Sequence, residues 1–342
     1  MAPLASIVNI ETFIKLGRTV LTPKLIVPLY VLTHHTDKGR LLSAVKPDLA
    51  KWIKLIAILG VAKKLHGLFN QALLNNFKRD KYVWNREVAV VTGGSDGIGA
   101  KVSRILAERG VRIAVLDIKP PVYTTGPNIH YIKCDITSKA DIKAAATEIR
   151  GKFGEPTILV NNAGILPGTT LLGSSDELTR KVFEINTLSH YTLAREFLPY
   201  MVKRDHGMVV TVASQAGFIS LPNMIDYSGS KSAAISFHEG LNAELRARYK
   251  APRVRTVLLA PGFIKTTLID KLTCFDSFVN PLLNPDDVAK ALTKQILTGQ
   301  SGAVYLPEFS SSFTGRLMRA LPEWIQRIVH ICSEDLTHGS GK

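Results

Sequence analysis

The sequence predicts an α/β protein: one doubly wound parallel sheet with helices on both faces, an N-terminal basic and apolar helical extension, and a C-terminal helical tail. Three observations carry this prediction. From Arg86 onward, short β-branched runs alternate with helical stretches, the pattern of βαβ crossovers. A glycine-rich turn stands between the first such run and the helix after it. The chain has 342 residues, of which 46% are hydrophobic and 21% charged, the profile of a chain that buries a large core.

Residues 1–85 form the extension. They hold thirteen Lys and Arg against four Asp and Glu, so most of the formal charge of +15 sits in the first quarter of the chain. The charge is interleaved with apolar runs and not with exposed aromatics, and no nucleic-acid motif accompanies it; nucleic acid is not an expected partner. Leu25–Thr33 and Leu55–Ala62 are uncharged, but at nine and eight residues each is short of the ~20 a spanning helix needs. Lys24 and Pro28 further weaken the first as a crossing helix. Lys51, Lys54, Lys63 and Lys64 flank the second on a helix whose broad apolar face includes Trp52, the signature of a helix lying in a membrane interface. A helix packed on the protein's own surface is the alternative. Met1–Glu11 lacks a basic leader and a small-residue cleavage site, so no removable signal peptide is expected. Cys134, Cys274 and Cys332 are widely spaced, give neither a disulfide framework nor a metal cluster, and suit a reducing compartment.

One large α/β domain is expected over 86–310. Val88–Thr92, Val111–Leu116, Ile158–Val160, Met208–Val212 and Val254–Leu259 read as strands, with helices over Ala100–Arg109, Ser138–Lys152 and Glu177–Arg204. The tail, 311–342, places Phe313, Leu317, Leu321, Trp324, Ile328 and Ile331 at helical spacing, with Pro322 starting a second short helix. It suits closure of a pocket, contact with a membrane, or cover for a sheet edge.

The turn after the first strand reads Thr92-Gly93-Gly94-Ser95-Asp96-Gly97-Ile98-Gly99, a TGxxxGxG pattern. Its glycines let the backbone approach a pyrophosphate, whose charge the following helix N-terminus stabilises. Asp117 ends the second strand, where a carboxylate accepts hydrogen bonds from ribose hydroxyls and repels a 2′-phosphate. Asp96 adds negative charge nearby, so the pair favours NAD over NADP. Farther on come Asn161-Asn162-Ala163-Gly164, then Ser214, then Tyr227-Ser228-Gly229-Ser230-Lys231. Residues four apart share a helix face, so Lys231 can sit beside the Tyr227 phenol and favour its ionised form.

Together these motifs resemble those of the short-chain dehydrogenase/reductase family over roughly residues 86–270. The architecture of extension and tail further resembles its membrane-associated branch of retinol and hydroxysteroid dehydrogenases. The resemblance implies a Rossmann-type fold and a set of roles. Gly93, Ser95, Asp96, Gly97, Ile98 and Gly99 form the phosphate turn. Asp135 and Ile136 border the adenine, Asn162 and Gly164 the adenosine, and Pro261, Gly262, Ile264 and Thr266 the nicotinamide. Asn186, Ser214, Tyr227 and Lys231 are the catalytic set, with Tyr227 and Lys231 also touching the cofactor, and no metal is implied.

The expected activity is NAD-dependent interconversion of an alcohol and its carbonyl on a lipophilic substrate. The Leu-, Ile- and Phe-rich segment after Thr266 suits a sterol, retinoid or long-chain lipid. An endoplasmic-reticulum or lipid-droplet surface with the catalytic domain in the cytosol is the expected location, and a homodimer is compatible with it. Two alternatives stand beside this reading: an NADPH-dependent reductase of lipid synthesis, opposed by Asp96 and Asp117, and a membrane coat protein with a vestigial enzyme fold, opposed by the intact Ser-Tyr-Lys set.

Overall fold

The computed structural model describes residues 12, 17, 19, 21–269, 272–273, 281–308, 317–332 and 338–339. The segment Met1–Glu11, Phe313, and most of the apolar segment after Ile269 lie outside the described residues. The chain divides into two compact units, Met1–Phe77 and Lys78–Lys342.

The first unit is helical: α1 (Pro23–His35), α2 (Asp37–Val45) and α3 (Pro47–Leu74). Pro23 and Pro47 stand in the first turns of their helices, where a missing N–H costs nothing. The Thr36 side chain caps α2 by accepting from the Gly39 N–H at 3.1 Å. Pro28 lies inside α1 without ending it. Small residues set the approach of α1 and α3: a Cβ on Gly60 would come within 2.9 Å of the Leu21 carbonyl oxygen and 3.2 Å of Ile26 Cγ2. What this packing covers is mainly Ile26, Ala50, Ala57 and Gly60. The large apolar residues of α3 stay outside, with Trp52 60%, Leu65 61% and Phe69 59% exposed. Among the described residues no helix is long and apolar enough to cross a membrane.

The second unit holds a seven-stranded sheet. Its strands are β1 (Val88–Thr92), β2 (Arg112–Asp117), β3 (Ile129–Lys133), β4 (Ile158–Asn161), β5 (Met208–Val212), β6 (Arg255–Pro261) and β7 (Gly302–Leu306), all parallel, in the order β3-β2-β1-β4-β5-β6-β7. The inner strands β1, β4, β5 and β6 are buried along their whole length, which is why they read as unbroken Val, Ile and Leu runs. The two edge strands β3 and β7 were not predicted. They are half-buried and carry polar or small residues such as His130, Lys133 and Gly302, which blur the apolar signal.

Two apolar layers sandwich the sheet. On one face lie α4 (Gly97–Glu108) and α9 (Pro285–Ile296), with Val102, Leu106, Val288 and Leu292 in the core. On the other lie α5 (Lys139–Phe153), α7 (Ser189–Arg204) and α8 (Ile225–Ala247), with Ala145, Ile149, Leu193, Phe197 and Leu241. The helix expected over Glu177–Arg204 is real but interrupted: α6 (Asp176–Phe183) passes through a π-turn at Glu184–Leu188 before α7 begins. Strand order reverses between β1 and β4, and a crevice at such a switch point is where this architecture takes ligands.

The tail differs from the continuous stripe that the spacing predicts. Met318–Ala320 is a single 3₁₀ turn and Leu321 is extended, at φ −79° and ψ 155°, because the residue before Pro322 avoids the helical region. Only α10 (Glu323–Cys332) continues as helix.

The second unit begins at Lys78, earlier than the expected domain start at Arg86. Residues 78–87 are strapped to it. The His206 ring bonds Asp80 at 2.8 Å and Glu87 at 3.2 Å, the Tyr82 hydroxyl donates to the Gly207 carbonyl at 2.6 Å, and the Arg255 guanidinium donates to the Lys78 carbonyl at 2.7 Å. Hydrogen bonds donated to the two carboxylates push the His206 pKa up to about 9.

Candidate active site

A cavity of about 1180 Å³ opens at the carboxyl ends of the inner strands. At one end the chain leaves β1 through the glycine turn. Gly93 and Gly97 hold φ of +63° and +58°, a conformation that favours glycine, and Gly97 has open space where a Cβ would stand. Asn162 brackets the turn: its amide donates to the Thr92 and Gly93 carbonyls at 2.9 and 3.1 Å, and its N–H donates to the Thr92 hydroxyl at 3.0 Å. Asp96 caps α4 by accepting from the Gly97 N–H at 2.6 Å. Gly93, Asp96, Gly97, Ile98 and Asn162 all line the cavity. Ser95 and Gly99 do not face it. Ser95 is buried, its N–H donating to Asp117 and its hydroxyl to the Lys119 carbonyl; Gly99 packs against the Gly93 carbonyl with no room for a Cβ.

Three carboxylates line the same end: Asp96, Asp117 and Asp135. Asp117 accepts from the Ser95 and Lys119 N–H groups, each at 3.1 Å, so backbone donors hold its orientation. Asp135 accepts from the Thr137 N–H and hydroxyl at 2.9 and 2.8 Å, and Ile136 lies beside it.

Toward the other end, Ser214 after β5 and Tyr227 and Lys231 on α8 converge on the cavity. The Lys231 ammonium donates to the Val212 carbonyl at 2.9 Å and lies 5.7 Å from the centre of the Tyr227 ring. Burial brings the Lys231 pKa down to about 8. Burial also pushes the Tyr227 pKa up to about 12, with the Ser214 hydroxyl pulling the other way. The expectation that Lys231 eases ionisation of the phenol thus meets a larger opposing effect in the protein alone, desolvation of the ring. Gly164 approaches Lys231 and Asn186 closely: a Cβ there would lie 3.4 Å from the ammonium. Asn186 is buried and does not line the cavity. Its amide oxygen accepts from the Ile165 N–H at 2.8 Å, and its nitrogen donates to the Ile165 carbonyl and the Ser230 hydroxyl, each at 3.0 Å. Pro261, Gly262, Ile264 and Thr266 close this end after β6.

The remaining wall is mainly apolar, with Glu177, Lys181, Glu184 and Gln215 among its polar members. Leu166, Ile219, Leu221, Met224, Phe263 and Leu268 line it, and so do Ile328 and Val329 of α10. The tail's apolar spacing was visible in the sequence, but nothing there said which surface it would meet. The residues present fit a dinucleotide: a turn that presents Gly93 and Gly97 to the cavity, a helix N-terminus for the pyrophosphate, and carboxylates where a ribose would lie.

Comparison with known proteins agrees with this geometry. A family model described as short chain dehydrogenase matches residues 87–274. Dehydrogenase RED2 of Cochliobolus heterostrophus is 43% identical over 198 residues, covering 57% of this chain and 75% of that protein. Human estradiol 17-beta-dehydrogenase 11 is 35% identical over 254 residues, covering 72% and 82% respectively. Human 17-beta-hydroxysteroid dehydrogenase 13 is 33% identical over 252 residues, covering 71% and 82%. The solved structure of Thermoplasma acidophilum aldohexose dehydrogenase in ligand-free form superposes with a TM-score of 0.57 at 23% identity, over 64% of this chain and 92% of that one, and shares the fold. With glycine turn, Ser214, Tyr227 and Lys231 gathered in one cavity, the chain belongs to the short-chain dehydrogenase family and is an oxidoreductase acting on alcohols with a nicotinamide cofactor.

Proposed function

We propose that the protein interconverts a lipophilic primary or secondary alcohol (a sterol, retinoid or long-chain lipid) and its carbonyl compound, using NAD. The observation that carries this reading is the placement of Ser214, Tyr227 and Lys231 against a wall of Leu, Ile, Met, Phe and Val side chains. The cofactor supplies a hydride acceptor, or donor in reverse; the protein supplies orientation and electrostatics. In the oxidative direction Tyr227 takes the hydroxyl proton. Ser214 donates a hydrogen bond to the substrate oxygen and steadies the charge developing there. Lys231, charged below about pH 8, binds the ribose side of the site and stabilises the phenolate. Asn186 acts through position, its amide tying Ile165 to Ser230 one residue from Lys231. Asp96, Asp117 and Asp135 at the adenosine end support NAD, since a 2′-phosphate would be brought against carboxylates.

The helical first unit supports attachment to a lipid surface of the endoplasmic reticulum or a lipid droplet, with the catalytic unit on the cytosolic side. Lys51, Lys54, Lys63 and Lys64 are all exposed beside the outward apolar residues of α3, a combination suited to anionic headgroups. The test is to supply the full-length protein with NAD and, in turn, 17β-estradiol, all-trans-retinol and hexadecanol, following NADH absorbance. Turnover of one or more supports the reading. Turnover only of small water-soluble alcohols, or only with NADP, overturns it.

A further inference from the structure

One face of α6 looks into the cavity and carries charge. Glu177, Lys181, Glu184 and Ile185 stand at i, i+4, i+7 and i+8, and all four line the cavity. Glu184 keeps helical angles, φ −58° and ψ −48°, so the face runs unbroken into the π-turn. The end of this helix is fixed against the reactive groups. A Cβ on Gly229, between Tyr227 and Lys231, would come within 3.1 Å of the Phe183 ring, and the Asn186 amide bonds Ile165 and Ser230. Glu184 lies between these two anchors, beside the Tyr227–Lys231 turn of α8.

The three charges differ in what they already hold. The Glu177 carboxylate accepts from the Ser175 hydroxyl and from its own N–H. Lys181 is spaced to pair with either glutamate, yet neither its ammonium nor the Glu184 carboxylate forms a hydrogen bond or ion pair among the described residues. Lys181 is exposed and Glu184 half-buried. Solvent screens the ammonium more, so the carboxylate sets the field on this side of the cavity. A carboxylate accepts hydrogen bonds and gives none, and it repels a second anion. The group that complements it is a donor, and a protonated amine makes the strongest such bond. The apolar wall of Leu166, Leu221, Met224 and Phe263 meanwhile suits a hydrocarbon chain.

We infer that Glu184 is a specificity-determining residue, selecting lipophilic alcohols that carry a protonated amine within a few carbons of the carbinol. This selectivity rests on the alcohol–carbonyl activity proposed above and narrows its substrate class to long-chain amino alcohols. The short spacing follows from the anchoring of Glu184 beside the Tyr227 turn. The amine is a spectator in the reaction: the carbinol C–H gives its hydride to the nicotinamide, the hydroxyl gives its proton to Tyr227, and the ammonium stays on Glu184.

The full-length protein with NAD tests this through kcat/KM for 2-aminohexadecan-1-ol and hexadecan-1-ol at pH 7, where an alkylamine is protonated. The amino alcohol is expected to be favoured about tenfold, and Glu184→Gln to bring that ratio close to one. Glu184→Asp, which keeps the charge, should retain part of the preference. Lys181→Glu, which leaves Glu184 in place, should raise the ratio; an unchanged ratio there would overturn the proposal even if the Glu184 variants fold poorly. A ratio near one in the wild type, or one that Glu184→Gln leaves unmoved while NADH still binds, would overturn it too. So would an equal preference for hexadecane-1,2-diol, which would make the partner a neutral donor. Dodecylamine has no hydroxyl to oxidise and so reads the site apart from the activity: its Kd for the NADH complex, by calorimetry, should rise about tenfold in Glu184→Gln. If no lipophilic alcohol is turned over, the proposed function fails, while that titration still decides the role of Glu184.

Discussion

At the scale of single residues, Tyr227 carries the sharpest consequence. Removing its hydroxyl takes away the proton acceptor but leaves the glycine turn, the carboxylates and Lys231 in place. Tyr227→Phe should lower kcat by about 10²-fold or more, with NADH binding, followed by fluorescence, left near wild type. Retained turnover would move the base elsewhere. Asp96 and Asp117 make a second case, because each does two jobs. Asp117 presents its carboxylate to the cavity while accepting from the Ser95 and Lys119 N–H groups, and Asp96 caps α4. The double variant Asp96→Lys with Asp117→Ser should raise the NADP-to-NAD ratio of kcat/KM. It should also cost about 1 kcal/mol of stability through the lost cap, measurable by denaturant unfolding. A ratio that stays fixed would separate these carboxylates from cofactor choice.

At the scale of elements, the strap over residues 78–87 makes stability depend on pH. The His206 pKa in the fold is about 9, above its ordinary 6.5, because it bonds Asp80 and Glu87. The imidazolium therefore contributes fully below about pH 6.5, and the contribution fades as pH rises through about 9. Asp80 and Glu87 are held below the ordinary carboxylate range despite burial, chiefly by hydrogen bonds from His206, so their contribution is present at neutral pH and fades in acid. His206 is partly solvated, and after allowing for screening its share is about 2 kcal/mol. Tm measured from pH 6 to pH 10 should fall more for the wild type than for His206→Gln; parallel curves would dissociate the strap from stability. A chain starting at Lys78 should likewise be more stable than one starting at Tyr82, which loses Asp80 and the Lys78 carbonyl. Much of the element scale was legible from sequence: inner strands buried on both sides announce themselves as Val and Ile runs, and the glycine turn marks the first crossover. Strands β3 and β7 did not, since an edge strand needs burial on one side only. The strap was invisible for another reason, as His206 and Asp80 are brought together by tertiary packing alone.

For the molecule as a whole, charge and exposed apolar surface sit on the same helical unit, and their effects should add at about 1 kcal/mol for each basic residue close to an anionic surface. The full-length protein is expected to cosediment with phosphatidylserine-containing vesicles. High salt should release it only in part, because apolar insertion survives screening. Reversing Lys51, Lys54, Lys63 and Lys64 to Glu should weaken cosedimentation and leave NADH binding unchanged. Protein that stays in the supernatant at physiological salt would make α1–α3 a packing element.

The placement of α10 has a consequence for where the apolar wall can be altered. Ile328 and Val329 complete the apolar wall, yet they lie far beyond residue 274, where the match to the family ends. The apolar wall is thus drawn from two stretches of the chain, one within the matched segment that also carries Ser214, Tyr227 and Lys231, the other beyond it. A substitution at Ile328 or Val329 can therefore reshape that wall while leaving the glycine turn, Ser214, Tyr227 and Lys231 as they are.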